Sequence, residues 1–477
     1  MVTKDELKDG PLSLQKVKKN NIKKENMSPL NYFNLSGLAE NERIDIKKLT
    51  NYCDLNKNTI KPENGVKYDL IELRDIDKSI GEISKVHENL GNEIHSRKTA
   101  FKKGDILFGK LRPYLNQVAL INFEPQNHDY FIGSSELIRI TPKDKRLFYY
   151  LFLVMRSKFT LFQTSASHGS VRPRFNLLKN SIKLPILKDE KLLNEINSIV
   201  KKLFELRIKE KNNLKKLIRK YDKKANVKTK SDTLISRVKP ENIYTNRMDH
   251  NYYMLLDMWK EIKNKKHTTL GEYVNFSTLK TRSKYNSNDV IKYITISDVD
   301  PNQGEITNWE EKIYNPTKEV SNKAPNRAKM LLKENNILLP YLKGSQSSIA
   351  WVPKELNNCI STNGFAILEK ENYYGFIYIA LRSRIVQSQL KLLAAGTIME
   401  DITSDEMKQI RLYLPSENII NELNKKSQRI LENLWYTRRI YNELLSFFED
   451  YCLKFINNNE FIDRIQEINL KINNMED

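Results

Sequence analysis

Along the last quarter of the chain, Ile420, Leu423, Ser427, Ile430, Leu434, Thr437, Tyr441, Leu444, Phe448, Tyr451 and Phe455 alternate steps of three and four without a break. So narrow a stripe predicts a long helix with a coiled-coil partner, because a repeat of about 3.5 residues keeps one seam facing a second helix. Ser427 and Thr437 are the polar positions of the seam, the kind that fixes register. Ser416, directly after Pro415, is placed to cap the first turn. The same design occurs earlier in Leu192, Ile196, Ile199, Leu203 and Leu206, then more loosely in Leu214, Leu217 and Tyr221, with a polar interruption at Glu210. Each helix covers about 35 residues, hence ~50 Å at 1.5 Å per residue. The competing reading, that each helix covers only its own domain, suits a seam this narrow less well. Each is the other's one obvious partner of matching length, which predicts an antiparallel pair.

Outside the helices the apolar period falls to two, and the pattern is stated twice. Ile71-Glu72-Leu73-Arg74-Asp75 and Ile294-Thr295-Ile296-Ser297-Asp298 each read as a strand running into an acidic turn. The turns themselves, Asp75-Ile76-Asp77 before Gly81-Glu82-Ile83 and Asp298-Val299-Asp300 before Gly304-Glu305-Ile306, are 223 residues apart. Leu49 and Tyr52 match Leu270 and Tyr273; Asp105-Ile106-Leu107 matches Asn336-Ile337-Leu338; Leu111-Arg112 matches Leu342-Lys343. Further on, Met155-Arg156-Ser157-Lys158 matches Leu381-Arg382-Ser383-Arg384, Gly169-Ser170 matches Gly396-Thr397, and both series close on Leu-Pro, at Leu184-Pro185 and Leu414-Pro415. The shift drifts between 221 and 231, as loop insertions in two diverged copies of one fold would make it drift. Strands dominate each copy, with a helical stretch near Leu147 to Thr160 and a counterpart near Gly375 to Leu393.

Charge now narrows the partner. Of the 477 residues, 80 are Lys or Arg and 59 Asp or Glu, a formal net charge of +21. That excess favours polyanions, since each phosphate neutralised releases condensed counterions. Its longest apolar run, Leu147 to Met155, is about half of what a spanning helix requires, so no membrane partner is expected. Lys and Asp occupy the place of a signal peptide's apolar region. Cys53, Cys359 and Cys452 form no Cys-x-x-Cys pair, which argues against disulfide frameworks and cysteine zinc sites. These features predict a cytoplasmic, reduced protein.

Catalytic signatures are missing from the sequence. It contains no Gly-x-x-x-x-Gly-Lys phosphate loop. Asn315-Pro316 is followed by Thr317 rather than by the proline and aromatic with which an amino-methyltransferase holds its target base. There is no Gly-rich turn between strand and helix for a methyl donor, and the six His are too scattered for a local metal pair. A binding protein without catalytic residues or metal is the expectation.

Loops with cations and polar side chains are the candidate contacts. In the first copy these are Lys110, Arg112 and Tyr114, then Ser167, His168, Arg172 and Arg174 within Ser165 to Arg174. In the second they are Lys280, Arg282 and Lys284, then Tyr341, Lys343, Ser345, Gln346 and Ser347, with Lys391 to Thr397 as a further loop. Arg can contact guanine bidentately, whereas Lys more often meets phosphate. The copies keep their strands and differ in these loops, as two readers of different sequences would.

From about Asp45 to Phe455 the chain resembles the specificity subunits of Type I restriction-modification systems. Gly104 to Leu120 looks like the central strand-loop-strand of their target-recognition domains, and Ile360 to Leu368 resembles a late strand of another branch. Arg247-Met248-Asp249 before Tyr252-Tyr253 resembles the short helix that enters such a domain, with Arg43-Ile44-Asp45 as a truncated echo. Three departures stand out. Glu334-Asn335-Asn336 replaces the Gly-Asp turn of the first copy; the first copy lacks the roughly 20 residues between Arg247 and Leu270; residues 1–39, with a basic run from Lys16 to Lys24, match nothing in the pattern.

The resemblance implies an α+β fold of two tandem homologous target-recognition domains, each followed by a long spacer helix, the helices packing as an antiparallel coiled coil. The corresponding division is a basic extension (1–39), a first recognition domain (40–186), a first helix and connector (187–262), a second domain (263–415), and a second helix with C-terminal tail (416–477). The helix interface would use Leu192, Ile196, Ile199, Leu203 and Leu206 against Ile420, Leu423, Ile430, Leu434, Tyr441, Leu444 and Phe448. It further implies a non-catalytic reader of a bipartite duplex in phage defence. Its partners would be two methyltransferase subunits and endonuclease/translocase subunits, with S-adenosylmethionine, ATP and magnesium held by those partners. Two alternatives remain, a single-chain DNA-modifying enzyme with an unrecognised catalytic segment and a coiled-coil scaffold with no DNA role.

Overall fold

The computed structural model describes residues 41–56, 59–165, 173–226, 250–279, 285, 289–313, 327–370, 372–394 and 401–476. The extension 1–39, Arg247-Met248-Asp249, Asn315 to Thr317 and several loop residues named above lie outside them. The helices of eight or more residues are α1 (Phe148–Arg156), α2 (Lys158–Ser165), α3 (Glu190–Ala225), α4 (His250–Lys263), α5 (Tyr374–Arg382), α6 (Arg384–Leu393), α7 (Glu417–Cys452) and α8 (Asn458–Glu476). Two compact units result, residues 1–206 with 437–477, and residues 207–436.

The first unit holds the mixed sheet in the order Thr59–Ile60, Lys98–Phe101, Phe131–Gly133, Lys67–Ile71, His87–Leu90. The second holds Ala328–Leu331, Ile360–Thr362, Val290–Ile294, Glu310–Ile313. Among the described residues the order is the same, apart from the strand Thr59–Ile60. Each sheet also contains a parallel pair at the same place, Leu70 opposite Ile132 and Tyr293 opposite Ile360. A four-stranded antiparallel sheet accompanies each: Cys53–Asn56, Leu137–Pro142, Ile106–Gly109, Val118–Leu120, and Asn275–Phe276, Phe365–Glu369, Ile337–Pro340, Ala350–Trp351. Entry and exit of each copy are tied as a two-stranded ribbon, Ile44–Lys48 with Lys183–Leu187 and His267–Thr269 with Arg411–Tyr413. The fold is mixed helix and strand, as expected.

Each long helix gives one half to each unit. In the first unit Leu192, Ile196, Ile199 and Leu203 of α3 share a core with Tyr441, Leu444 and Phe448 of α7. In the second, Leu214, Leu217 and Tyr221 share one with Leu423, Ile430 and Leu434. Within the second unit Lys220 pairs with Glu422 at 2.6 Å and Glu210 accepts from Asn433 Nδ2 at 2.9 Å. One number rises as the other falls, so the helices run antiparallel there. Glu210, an interruption of the seam by sequence, makes a buried interhelix bond, and a polar seam position of this kind fixes register. Leu206 is buried as well, and Ile420 is partly buried.

The seam does not continue to Phe455. The helix ends at Cys452, Lys454 takes φ 62°, and Phe455 is 55% exposed. The tail after it forms α8, whose Phe461, Ile465, Ile468 and Ile472 are fully buried in the first unit's core. Lys471 and Asn469 reach Glu443 of α7 and Glu195 of α3. Its apolar steps of four, three and four are an amphipathic stripe too short to stand out beside the longer seam.

Candidate nucleic-acid interface

The acidic turns are scaffold. Asp77 Oδ1 accepts from the Ser79 amide at 2.8 Å, and Asp300 Oδ1 from the Asn302 amide at 2.8 Å. Gly81 and Gly304 follow at φ 74° and 70°, a left-handed turn that glycine takes freely. In the first unit Arg438 of α7 lies 2.8 Å from Asp77 and also donates to Ser79. In the second, Arg207 of α3 lies 2.7 Å from Glu305 and donates to the Leu434 carbonyl at 2.6 Å. Burial alone would raise the Asp77 carboxyl; Arg438 and Ser79 outweigh it and hold it well below the usual carboxylate range.

A second arginine in each copy ties this scaffold to the loop that leaves the central strand. Arg156 donates to the carbonyls of Lys78, Asn116 and Val118 at 2.7, 3.1 and 2.9 Å. Arg382 donates to those of Pro301, Asn302 and Ser347 at 3.3, 2.8 and 3.2 Å. The repeated Arg-Ser pair is thereby explained, since one guanidinium clasps both the acidic turn and the far end of the loop. Asn197 and Asn424 hold α1 and α5 in turn, accepting from the amides of Tyr150 and Phe376 at 2.9 and 3.0 Å.

The near end of each loop is fixed by two backbone bonds. In the first copy the Lys110 amide donates to the Glu136 carbonyl at 3.0 Å and the Phe175 amide to the Lys110 carbonyl at 2.9 Å. In the second the Tyr341 amide donates to Gly364 at 2.9 Å and the Ile402 amide to Tyr341 at 3.0 Å. One frame thus presents three equivalent positions, filled by Lys110, Glu136 and Arg174 in one copy and by Tyr341, Gly364 and Asp401 in the other. Spacing could not reveal Glu136, Gly364 or Asp401, because their neighbourhood is set by strand register rather than by distance along the chain.

The side chains differ in how they are held. Lys110 is only 16% exposed and sits 3.6 Å from the Glu136 carboxylate. Arg174 grips the same carboxylate through Nε at 3.2 Å and Nη2 at 3.1 Å while remaining 51% exposed. Arg112 is exposed and adopts φ 49°, ψ 60°, its amide bonded to the Pro173 carbonyl at 2.8 Å. A non-glycine residue in that region costs about 1–2 kcal/mol, a strain that clusters at functional loops. Tyr114 is 50% exposed beside it. In the second copy Lys343 and Ser347 are exposed, and Tyr341, Ser345 and Gln346 partly so. The Gln346 carbonyl accepts from Gln387 at 3.4 Å.

Ser167, His168, Arg172, Lys280, Arg282 and Lys284 lie outside the described residues, as does part of Lys391 to Thr397. Among the described residues no three His, Cys, Asp or Glu side chains converge on a metal-sized site. Among them, too, no helix is long and apolar enough to cross a membrane.

No protein-family model matches the chain, and no curated protein does. Solved structures similar to it include a chain from work on complex assembly and conformational transition of the type I R-M system, with TM-score 0.30, 17% identity, and 87% of this chain and 97% of that one covered. The HsdS subunit from Thermoanaerobacter tengcongensis gives a TM-score of 0.30, 17% identity, and 87% and 97% coverage. The S subunit of a type I restriction-modification system from M. genitalium gives 0.34, 17%, and 87% and 96%.

Proposed function

We propose that this chain is the sequence-reading subunit of a Type I restriction-modification complex, binding a bipartite duplex through its two repeats and performing no catalysis itself. The observation that carries this is the loop anchored twice in one way and furnished twice with different side chains. A scaffold that preserves backbone geometry while exchanging the groups it presents is what reading two unlike half-sites requires. The net charge of +21 supplies the sequence-independent part of the affinity. In this reading the chain recruits two methyltransferase subunits carrying S-adenosylmethionine, and endonuclease/translocase subunits using ATP and magnesium. The number of helical residues between the repeats then sets the unread gap.

The test is the methylome of cells expressing the chain with a cognate methyltransferase. A bipartite adenine-methylated motif is expected, with duplex binding that weakens steeply with salt. Salt-insensitive or absent duplex binding by that complex overturns the reading in favour of a scaffold. Methylation by the purified chain alone overturns it in favour of a single-chain enzyme.

A further inference from the structure

We propose that Arg174 reads a guanine in the half-site of the first repeat, with Glu136 as its positioning residue; this rests on the DNA-reading role proposed above. Five N–H donors on a planar fork give arginine two usable edges. Glu136 occupies the inner one, with both carboxylate oxygens 3.2 Å from Nε and Oε1 3.1 Å from Nη2. The outer edge, Nη1 with the second proton of Nη2, meets no acceptor among the described residues. That edge is the one that can address O6 and N7 of guanine together.

The backbone is fixed as well. Leu111 and Arg174 form a bridge, and the neighbouring Phe175 amide bonds to Lys110. Arg174 is thus held at its main chain and at its guanidinium while half of its side chain stays open to solvent, so little rotamer freedom remains to be lost on binding. As a stability device the arrangement has little value, because so exposed an ion pair contributes little.

The other cations fit the role less well. Lys110 is mostly covered and shares the Glu136 carboxylate. Arg112 is exposed but no carboxylate holds it among the described residues, which suits a phosphate contact. The second repeat has Gly364 and Asp401 where the first has Glu136 and Arg174, so the device belongs to one half-site only.

The experiment uses the complex with the methyltransferase and a labelled duplex carrying the motif found in the methylome. Each guanine of the motif is replaced in turn by 7-deazaguanine or exchanged for another base pair. For the wild type one guanine of one half-site should matter about 5- to 150-fold, the equivalent of a bidentate pair. Arg174→Lys keeps the charge but not the fork; it should still bind and lose the preference at that guanine alone. Glu136→Gln should blunt the same preference and leave every other base position unchanged, which a merely structural residue would not do. Should Arg174→Ala abolish binding outright, the lysine variant decides. Guanine preference that survives in Arg174→Lys overturns the assignment. So does an equal loss by Arg174→Ala on every duplex with a salt slope reduced by about one, the mark of a phosphate contact. A wild-type complex that methylates no motif and binds no duplex removes the function itself, and is distinct from both results.

Discussion

In the first unit the acidic turn offers Asp77 to an arginine; in the second it offers Glu305, five positions further along the matching motif. Both arginines, Arg438 and Arg207, come from the helix that follows the opposite repeat. The repeat kept both acids in both copies. What is preserved is a buried acidic turn that takes a cation from the other repeat's helix. Each unit is completed only when both helices are present, which explains why the contacts cut across the sequence repeats.

Removing the cations one at a time should have the largest effect. The side chains of Asp77, Arg438, Arg207 and Glu305 are between 1% and 6% exposed, and stripping one partner from such a buried pair costs about 3–5 kcal/mol. Arg438→Ala should lose amide protection throughout the first unit and Arg207→Ala throughout the second, measured by hydrogen exchange. Loss spread evenly over both units in either variant would show that they do not open separately. Acid sharpens the contrast further. Because the Asp77 carboxyl is held low, its contribution is complete above the unfolded carboxylate pKa of about 3.9 and fades as pH falls below it. In Arg438→Ala burial still raises that carboxyl, and of the groups that lowered it the Ser79 hydrogen bonds remain. The loss of first-unit stability below about pH 4 should then be smaller than in the wild type, and an unchanged acid slope would mean another cation replaces Arg438.

A smaller effect is expected where the copies agree. An added Cβ at Gly81 would press on the Val118 carbonyl, Arg156 Nη1 and Phe152, and at Gly304 on the Tyr378 hydroxyl, Arg382 Nη1 and the Ile349 carbonyl. Left-handed backbone alone costs alanine about 1–2 kcal/mol, and the displaced arginine adds to it. Gly81→Ala and Gly304→Ala should thus lower the denaturation midpoint by similar amounts, and each should loosen only its own loop. A mild loss at one site and a severe loss at the other would show that the two clasps differ in kind.

Much of this is legible in the amino-acid sequence. The two long seams, the strand leading into each acidic turn, and the paired helical stretches all follow from apolar period, because burial of one face is written along one element. The loops' chemistry is only half legible. By sequence Lys110 is a free cation beside Arg112, but its partner Glu136 stands 26 residues on and reaches it through strand register. Asp401 and Gly364 are hidden for the same reason. The helix Asn458–Glu476 reads as a tail, since its stripe is short and its polar face carries most of its residues.

The finest distinction lies at the turn before each central strand, where Gly104 at φ 92° is matched by Asn335 at φ 66°. Asn tolerates the left-handed region better than other residues with a Cβ, and the next side chain plays the same part in both copies. Asp105 accepts from the Lys102 amide at 2.7 Å, and Asn336 from the Lys333 amide at 2.8 Å. Yet Asn335 has a second task, accepting from Trp351 Nε1 at 3.0 Å. The position matching Trp351 in the first copy is Leu120, which has no donor to offer. Asn335→Gly should therefore cost about 0.5–1.5 kcal/mol, the net worth of one hydrogen bond. Gly104→Asn should cost up to about 1–2 kcal/mol, the left-handed backbone penalty alone, since φ is 92° and nothing lies within 4 Å of an added Cβ. An Asn335→Gly variant as stable as the wild type, read from urea midpoints, would mean that backbone conformation alone selects the residue and that the indole bond adds nothing.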